Sequence, residues 1–258
     1  MPTPQQQAQA SAFQSLHQPG EPIVLTNAWD AGSAAAVAQG GASAIATGSA
    51  SVAMARGYTD GEELPFETLL SVLGEITRVI DLPVSADIET GFAEDLDQLA
   101  KNIALVIKTG IVGINFEDQM IASGAIRPLD DQVRRIEVIR GESDRLGLDL
   151  FINARTDLFL QEPDQAQHAA LISEAKERLM AYRAAGASGG FVPGLMDDDL
   201  IRDICGSVDM PINVLIMGDD TQRAHYASLG VARISAGPAP YRRAMAALEA
   251  ETRRALSS

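Results

Sequence analysis

Short runs of apolar residues alternate with longer segments of helical periodicity from residue 22 to the end of the chain. The runs rich in valine and isoleucine predict buried strands, and segments with apolar residues three to four apart predict amphipathic helices. The predicted strands are 22–26, 43–47, 83–87, 111–116, 149–154, 189–192, 212–216 and 231–235. The predicted helices are 31–39, 66–80, 94–108, 130–145, 164–185, 197–205, 220–228 and 239–255.

Eight strand and helix units in succession predict an α/β fold of the (β/α)8 TIM-barrel type, and 258 residues suit such a barrel. A doubly wound open sheet also alternates, but it usually carries a glycine fingerprint after its first strand, where this chain reads NAWD at 27–30. Phe13 and Leu16 lie at helical spacing within residues 4–18, which predicts an N-terminal lead-in helix. Because no linker divides the sequence, we expect one barrel domain over residues 1–258.

Charge and composition limit the kinds of molecule that the protein is expected to bind. The chain has 20 basic and 35 acidic residues, a net charge of −15, and only three lysines, so a nucleic-acid partner is not expected. A small anionic substrate would need a local cation or a divalent metal. Cys205 is the single cysteine, and we find no apolar run that would make a signal sequence or a membrane span. We therefore expect a cytoplasmic protein with no membrane partner.

Acidic residues collect where the predicted strands end, which is where barrel enzymes carry their chemistry. Asp87 and Glu89 follow the third strand, and Glu117 follows the fourth. Each acid alone is more often a helix cap or a solvated loop residue, but three together favour a bound divalent cation. An oxygen-only ligand set favours Mg²⁺, with Mn²⁺ as the alternative. All three histidines lie in predicted helices or the lead-in segment, which argues against zinc.

Two further residues at the strand ends have two interpretations each. Arg155 is suited either to pairing with Asp157 or Glu117, or to clamping a substrate carboxylate. Ser49 is either an ordinary turn residue or a position whose backbone N–H holds an oxyanion.

Missing nucleophiles narrow the chemistry. Lys101, Lys108 and Lys176 all fall in predicted helices, which argues against Schiff-base chemistry at a strand end. Cys205 also falls in a helix, so thiol catalysis is not expected. With Schiff-base and thiol catalysis not expected, the sequence favours metal-assisted chemistry on an oxyanion or enolate.

Five motifs stand at the strand ends and in the loops after them: NAWD at 27–30, GYTDG at 57–61, DIETGF at 87–92, NFED at 115–118 and NARTD at 153–157. Together they resemble the isocitrate lyase/phosphoenolpyruvate mutase superfamily over nearly the whole chain. The resemblance implies that Mg²⁺ is held directly by Asp87, and mainly through water by Glu89, Glu117 and Asp60.

The resemblance also implies a small 2-oxo or 2-hydroxy acid as substrate, processed through a metal-stabilised enolate with cleavage of a C–C or P–C bond. The expected catalytic residues are Asp60, Glu117 and Arg155. The expected substrate-binding residues are Trp29, Ser49, Ala50, Ser51, Asp87 and Arg155. A homo-oligomer, dimer or tetramer, is implied as well, in which the helix at 239–255 is exchanged between barrels.

Departures from the family pattern bear on the choice of reaction. The lyases that split isocitrate or methylisocitrate carry a cysteine in the loop after the fourth strand, where this chain reads QMIASG at 119–124. The phosphonate branch relies on a lysine and an asparagine in that loop and a histidine after the sixth strand, where this chain has Gln119 and FVPG at 191–194. The sequence therefore predicts a Mg²⁺-dependent carbon–carbon lyase or decarboxylase. The alternatives are a phosphonopyruvate-type mutase or hydrolase, and a 2-oxo acid binding protein with little catalysis.

Overall fold

The computed structural model describes residues 1–216 and 222–257, and in these residues nine parallel strands form one sheet. The strands are β1 Ile23–Leu25, β2 Asn27–Ala28, β3 Ile45–Thr47, β4 Val84–Asp87, β5 Gly113–Glu117, β6 Phe151–Arg155, β7 Gly189–Phe191, β8 Ile212–Leu215 and β9 Arg233–Ser235. Because β1 pairs with β9, β2 pairs with β3, and only Thr26 separates β1 from β2, the sheet closes into a barrel. The (β/α)8 prediction is confirmed.

Helices alternate with these strands on the outside of the barrel. They are α1 Pro4–Ser15, α2 Ala31–Gln39, α3 Ser49–Ala55, α4 Phe66–Val79, α5 Leu96–Lys108, α6 Leu129–Leu146, α7 Leu158–Gln161, α8 His168–Ala184, α9 Asp198–Ser207, α10 Arg223–Ser228 and α11 Ala239–Ser257. None of them is long and apolar enough to cross a membrane.

The element boundaries differ from the predicted ones at a few places. The predicted strand 22–26 is the split pair β1 and β2, and α3 and α7 were not predicted because helices of seven and four residues are too short to display a period of 3.6. The predicted helix 164–185 begins as a 3₁₀ turn at Gln165–Gln167 before α8. Of the predicted helix 220–228, residues 220 and 221 lie outside the described residues.

Side-chain caps set where several helices begin. Asp30 accepts a hydrogen bond from the backbone of Ser33, and the Ser33 hydroxyl interacts with the backbone N–H of Asp30 in return, which makes a capping box. Asp95 and Asp197 cap α5 and α9 by accepting hydrogen bonds from backbone N–H groups of the first turn. These caps fix the helix starts next to the strand ends that carry the site.

The predicted lead-in helix is present as α1, which ends at Ser15 and lies over the amino end of the barrel. The Phe13 ring packs edge-on against Phe151 at 5.3 Å between ring centroids, and the His17 ring stacks on Phe151 at 4.0 Å. A Cβ on Gly113 would lie 2.8 Å from the Phe13 ring, so only glycine fits beneath it. This packing leaves the carboxyl end as the open mouth of the barrel.

The last helix, α11, has no buried residue along its 19 residues. It touches its own barrel near its start, where Tyr241 packs edge-on against Trp29 at 5.1 Å. Exchange of this helix between subunits stays a prediction.

Candidate active site

Three predicted site residues end neighbouring strands. Asp87 is the last residue of β4, Glu117 of β5 and Arg155 of β6, and Glu117 is in register with Arg155. Asp87 and Glu117 are 8% and 5% exposed. Parallel strands therefore bring the three side chains to the carboxyl end of the barrel, as their position in the sequence predicted.

Two cavities meet at this end. The first, about 250 Å³, is lined by Asp87, Ser49, Ala50 and Ser51 among others. The second, about 240 Å³, is lined by residues that include Glu89, Glu117, Gln119 and Ile121. Asp60 and Arg155 line both cavities. Of the predicted site residues, Trp29 alone lines neither.

Arg155 is firmly held by two acids. Its Nε and Nη2 donate to the two carboxylate oxygens of Asp157 at 2.5 and 2.9 Å. Its Nη1 lies 2.8 Å from Glu117 Oε2. Although burial disfavours its charge, these partners raise the pKa of Arg155, so it stays a cation. Three of the five N–H groups of Arg155 are engaged by these acids, so two N–H groups remain to donate hydrogen bonds to a ligand.

Asp87 has no such partner. It accepts a hydrogen bond from the backbone N–H of Glu89 at 3.1 Å and one from the Asn115 amide. Among the described residues, no lysine, arginine or histidine lies within 4.0 Å of its carboxylate. Burial raises the pKa of Asp87, and nearby Asp60 raises it further, while Arg155 opposes the shift. Asp87 is thus a buried carboxylate that lines a cavity without a paired cation.

A polar relay below Asp87 was missed by sequence reasoning. Arg233 of β9 is 1% exposed, and its Nη2 donates to Asn115 Oδ1 at 3.1 Å. Asn153 Nδ2 donates to the same oxygen at 2.8 Å. With its oxygen held from below, the Asn115 amide presents its N–H group to Asp87. The available signal was an arginine between the apolar residues Ala232 and Ile234 of the predicted strand 231–235.

The loop that carries Asp60 is clasped onto the turn after β4. Glu89 Oε2 accepts hydrogen bonds from the backbone N–H groups of Gly61 and Glu62 at 2.8 and 2.7 Å. In return, Glu62 Oε1 accepts from the backbone N–H groups of Thr90 and Phe92 at 3.1 and 2.9 Å. This reciprocal contact holds the loop against the carboxyl end of the barrel, although Asp60 itself is exposed.

Glu89 combines backbone strain with a perturbed carboxyl group. Its φ of +50° is in the left-handed region, which non-glycine residues adopt mainly where the surrounding structure enforces it. Burial, Asp60 and Asp87 raise the pKa of Glu89 to about 8, while the hydrogen bond from Glu62 opposes the shift. Such strain and crowding are typical of a functional site.

A second clasp fixes the turn after β6. The Asp118 backbone N–H donates to the Arg155 carbonyl at 3.1 Å, and Asp118 Oδ1 accepts from the Asp157 backbone N–H at 2.9 Å. Its Oδ2 accepts from the Tyr182 hydroxyl at 2.7 Å. Asp118 is fully buried, so this contact holds Arg155 and Asp157 in place from below.

The loop after β5 is a short closed turn. Gln119 pairs with Ile126, and the Met120 backbone N–H donates to the Ala125 carbonyl at 2.8 Å. Gln161 of α7 donates to the Gly124 carbonyl at 2.7 Å. The loop is therefore tied to the barrel rather than extended over it.

The residues present fit a hydrated divalent cation. The four predicted metal-site acids supply oxygen ligands only, but in residues 1–216 and 222–257 no three histidine, cysteine, aspartate or glutamate side chains converge as a direct cage. A cation at this place would therefore take most of its ligands from water, and Mg²⁺ is an ion that keeps several water ligands. Burial raises the pKa of Glu117 well above its usual range; Arg155 opposes the shift, and Asp157 and Asp87 add to it. A cation would relieve this repulsion between acids.

The sequence model of the phosphoenolpyruvate phosphomutase family matches residues 13–256 of the chain. The solved structure of a candidate phosphonomutase from Burkholderia cenocepacia J2315 has a TM-score of 0.94 and 42% identity, and covers 97% of this chain and 99% of that one.

Relatives with named activities match a shorter part of the chain. The 2-methylisocitrate lyase of Escherichia coli K12 is 29% identical over 185 residues, which are 64% of this chain and 59% of the relative. An oxaloacetate decarboxylase of Chromohalobacter salexigens is 29% identical over 174 residues, which are 64% of this chain and 56% of the relative. The chain spans a little over half the length of each. By the match over most of its length, the chain belongs to the phosphoenolpyruvate phosphomutase family of the isocitrate lyase/phosphoenolpyruvate mutase superfamily.

Proposed function

We propose that the protein is a Mg²⁺-dependent lyase or decarboxylase that acts on a small 2-oxo or 2-hydroxy acid through an enolate. One observation carries the proposal: Asp87, a buried carboxylate without a paired cation, faces the same cavity as Arg155. A cavity that presents both an unpaired acid and a fixed guanidinium suits a metal ion and an anionic ligand together.

We propose the metal ligands that the resemblance of the five motifs implies. Asp87 would hold Mg²⁺ directly, with Glu89, Glu117 and Asp60 acting through water, and Mn²⁺ is the alternative ion. The bound ion would supply Lewis-acid stabilisation of negative charge on the substrate oxygens. Arg233, through Asn115, holds the Asp87 carboxylate in its orientation.

The substrate would lie in the cavity lined by α3. Ser49, Ala50 and Ser51 line this cavity together with Arg155, whose two remaining N–H donors would bind the substrate carboxylate. Asp157 and Glu117 keep the guanidinium in one orientation, which lowers the entropy lost on binding.

Decarboxylation of a 2-oxo acid with a carboxylate on C3 is the simplest reaction for this site. The bond from C3 to the departing carboxylate breaks, its electron pair forms the C2–C3 double bond of the enolate, and CO₂ leaves. A proton then adds to C3, giving the shorter 2-oxo acid. The C–C cleavage needs no thiol acid, so the absence of a cysteine from the loop at 119–124 does not block it. Asp60, exposed and lining the cavity, would pass the proton from solvent.

The relatives support two variants of this chemistry. The similarity to an oxaloacetate decarboxylase favours the carbon reaction. The similarity to a candidate phosphonomutase favours a phosphonopyruvate-type mutase or hydrolase as the second candidate. Against the second candidate stands the loop after β5, which has Gln119 where that branch uses lysine.

Proton NMR in D₂O tests the proposal. Purified protein is incubated with 2-oxo acids, including oxaloacetate and phosphonopyruvate, with Mg²⁺ and then with chelator. We expect Mg²⁺-dependent loss of oxaloacetate, with deuterium at C3 of the product. Loss of phosphonopyruvate alone would favour the phosphorus branch. Ligand binding without any change in the spectra would favour a binding protein and contradict the catalytic assignment.

We also propose that the protein is a homo-oligomer. The wholly unburied α11 suits burial against a second barrel. Light scattering coupled to size exclusion tests this, with a dimer or tetramer mass expected; a monomer at assay concentrations would contradict it.

A further inference from the structure

We propose that Glu62 is a positioning residue for the reaction: it holds the loop between α3 and α4 so that Asp60 lies at the wall shared by the two cavities. This inference rests on the proposed function, which assigns the transfer of a proton to Asp60. Glu62 lies one residue beyond the motif at 57–61, so none of the five motifs contains it. It lines neither cavity, and its role is therefore indirect.

Asp60 has no contact of its own that fixes its place. Its side chain is exposed, and within the described residues no hydrogen bond or ion pair engages it. Gly57 and Gly61 lie on either side of it, and a Cβ added to either glycine would meet no atom within 4 Å beyond its chain neighbours. Packing therefore does not hold this part of the loop, and its position depends on hydrogen bonds made elsewhere in the loop.

Two carboxylates supply those hydrogen bonds. In the part of the chain that the structure describes, every hydrogen bond between residues 59–63 and the rest of the protein involves Glu62 or Glu89. Glu62 Oε1 accepts three of them, from the backbone N–H groups of Thr90 and Phe92 and from the Thr90 hydroxyl at 2.6 Å. One oxygen of Glu62 thus gathers three donors of the turn after β4.

The turn that receives Glu62 is also held from its other side. Arg135 is 2% exposed and donates to the Thr90 carbonyl oxygen at 2.6 Å. Asn102 donates to the Gly91 carbonyl oxygen at 2.9 Å. Because these donors hold the carbonyl groups of the turn, its N–H groups should stay in place when the Glu62 carboxylate is removed. Loss of Glu62 should therefore release the loop and leave the turn intact.

The backbone of Glu62 depends on the same contact. Its φ of +58° is in the left-handed region, which a residue with a side chain adopts mainly where surrounding contacts enforce it. Without the three hydrogen bonds at its carboxylate, residue 62 loses the contacts that enforce this conformation. Only the two hydrogen bonds to Glu89 would then hold the loop.

Amide hydrogen exchange in chelator measures the docking of the loop without metal or substrate. The N–H groups of Gly61 and Glu62 donate to Glu89 when the loop is docked, so a peptide that covers 57–63 reports on docking. Corrected for intrinsic rates, these amides should exchange at least about tenfold faster in Glu62→Ala than in the wild type. Glu62→Gln, whose amide oxygen can accept the same hydrogen bonds, should keep the protection.

Glu63→Ala is the matched control. It removes the neighbouring exposed acid, for which no hydrogen bond or ion pair is found among the described residues. Its amides should exchange as those of the wild type do.

Oxaloacetate decarboxylation with Mg²⁺ shows whether the docked loop serves the reaction. Glu62→Ala should lower kcat by about ten- to a hundredfold and leave KM nearly unchanged, because a misplaced Asp60 slows proton transfer rather than substrate binding. Glu62→Gln should recover most of the loss, and Glu63→Ala should match the wild type. Adding Glu62→Ala to Asp60→Asn should lower kcat by less than about twofold more, since Glu62 acts through Asp60.

Three results would contradict this inference alone. They are unchanged amide exchange in Glu62→Ala, a wild-type kcat in that variant although its loop amides exchange faster, and losses of kcat that multiply in the double variant. A wild type that turns over no 2-oxo acid would contradict the proposed function, and the positioning role with it.

Discussion

The two ends of the barrel differ in how they treat buried ionisable groups. At the carboxyl end, Asp87, Glu89 and Glu117 are crowded and buried, and burial raises the pKa of each. At the amino end, α1 covers the strands with the rings of Phe13 and His17, and burial lowers the pKa of His17 to about 3. The carboxyl end thus holds acids close together, which lowers the stability of the fold. At the amino end the His17 ring is kept neutral, which allows it to be buried.

This difference separates stability from function. Packed rings at the amino end contribute free energy of folding through burial. The carboxyl end loses stability through repulsion between acids and through the strained backbone of Glu89, at the place where we propose that a cation and an acid bind. Substitutions at the carboxyl end should therefore weaken ligand binding, and substitutions at the amino end should lower the free energy of unfolding.

The largest effect is expected for Asp87→Ala. Removing the buried acid that lines the cavity should abolish Mg²⁺-dependent binding of oxalate, while the fold stays intact because Asp87 makes no ion pair that stabilises it. Asp87→Asn keeps the shape and should fail equally, since the charge is what the ion needs. Calorimetry with oxalate and Mg²⁺, together with circular dichroism, measures both properties. Unchanged affinity in either variant would contradict the metal assignment.

Phe13→Ala should have the converse effect. Losing this fully buried ring, which packs on Gly113, should lower the free energy of unfolding by about 3–5 kcal/mol. Oxalate binding at 25 °C should match the wild type, because the ring is at the other end of the barrel. Met180→Ala, at a half-exposed position, is the control and should change stability by less than about 0.5 kcal/mol. Guanidinium unfolding measures the difference; a loss of oxalate affinity in folded Phe13→Ala would contradict the separation of the two ends.

Sequence reasoning succeeded where local pattern decides the outcome. Periodicity gave the eight strand and helix units, and the rule that parallel strands end together placed Asp87, Glu117 and Arg155 at one end of the barrel. These are properties of short segments and of the fold class, so no side-chain detail is needed. The short helices α3 and α7 were missed because less than two turns of helix show no period.

The contacts that tune the site depend on packing between distant segments. The relay from Arg233 to Asn115 joins residues 118 apart in the chain, and the clasp between Glu62 and Thr90 joins residues 28 apart. Local sequence does not specify which side chains meet across such separations. Trp29, predicted at the substrate, packs against Tyr241, which is also far away in the chain; its role at the substrate stays a prediction.

The relay from Arg233 through Asn115 to Asp87 is tested by Arg233→Met. The substitution keeps most of the aliphatic part of the side chain but removes one of the two donors that hold the Asn115 oxygen, so Mg²⁺-dependent oxalate affinity should fall by about ten- to a hundredfold. Stability should change little, since burial of the charge already costs free energy and lowers the pKa of Arg233 to about 9. Arg233→Lys should recover part of the affinity. Calorimetry on both proteins decides; wild-type affinity in Arg233→Met would show that Asp87 is oriented without it.

The smallest effect is a pH dependence with opposite signs at the two ends. The raised pKa values of Asp87, Glu89 and Glu117 mean that the folded metal-free protein binds more protons than the unfolded chain, so these acids favour folding as pH falls. His17 acts the other way. Its ring is buried and neutral, with Nδ1 2.8 Å from the Phe13 carbonyl oxygen, whereas the unfolded chain protonates it near pH 6.5.

His17→Gln isolates the amino-end contribution, because the acids of the carboxyl end are the same in both proteins. The stability that neutral His17 contributes is complete above pH 6.5 and is lost as pH falls toward 3, a loss of about 2 kcal/mol between pH 7 and pH 5. Urea unfolding at these two pH values, in chelator, should show a wild type that loses about 2 kcal/mol more than His17→Gln over the interval. His225→Gln makes the same exchange at an exposed position and controls for the substitution itself. If His17→Gln and the wild type lose the same free energy of unfolding between pH 7 and pH 5, the folded protein protonates His17 as readily as the unfolded chain does. The His17 ring would then not be the buried neutral group that its packing indicates.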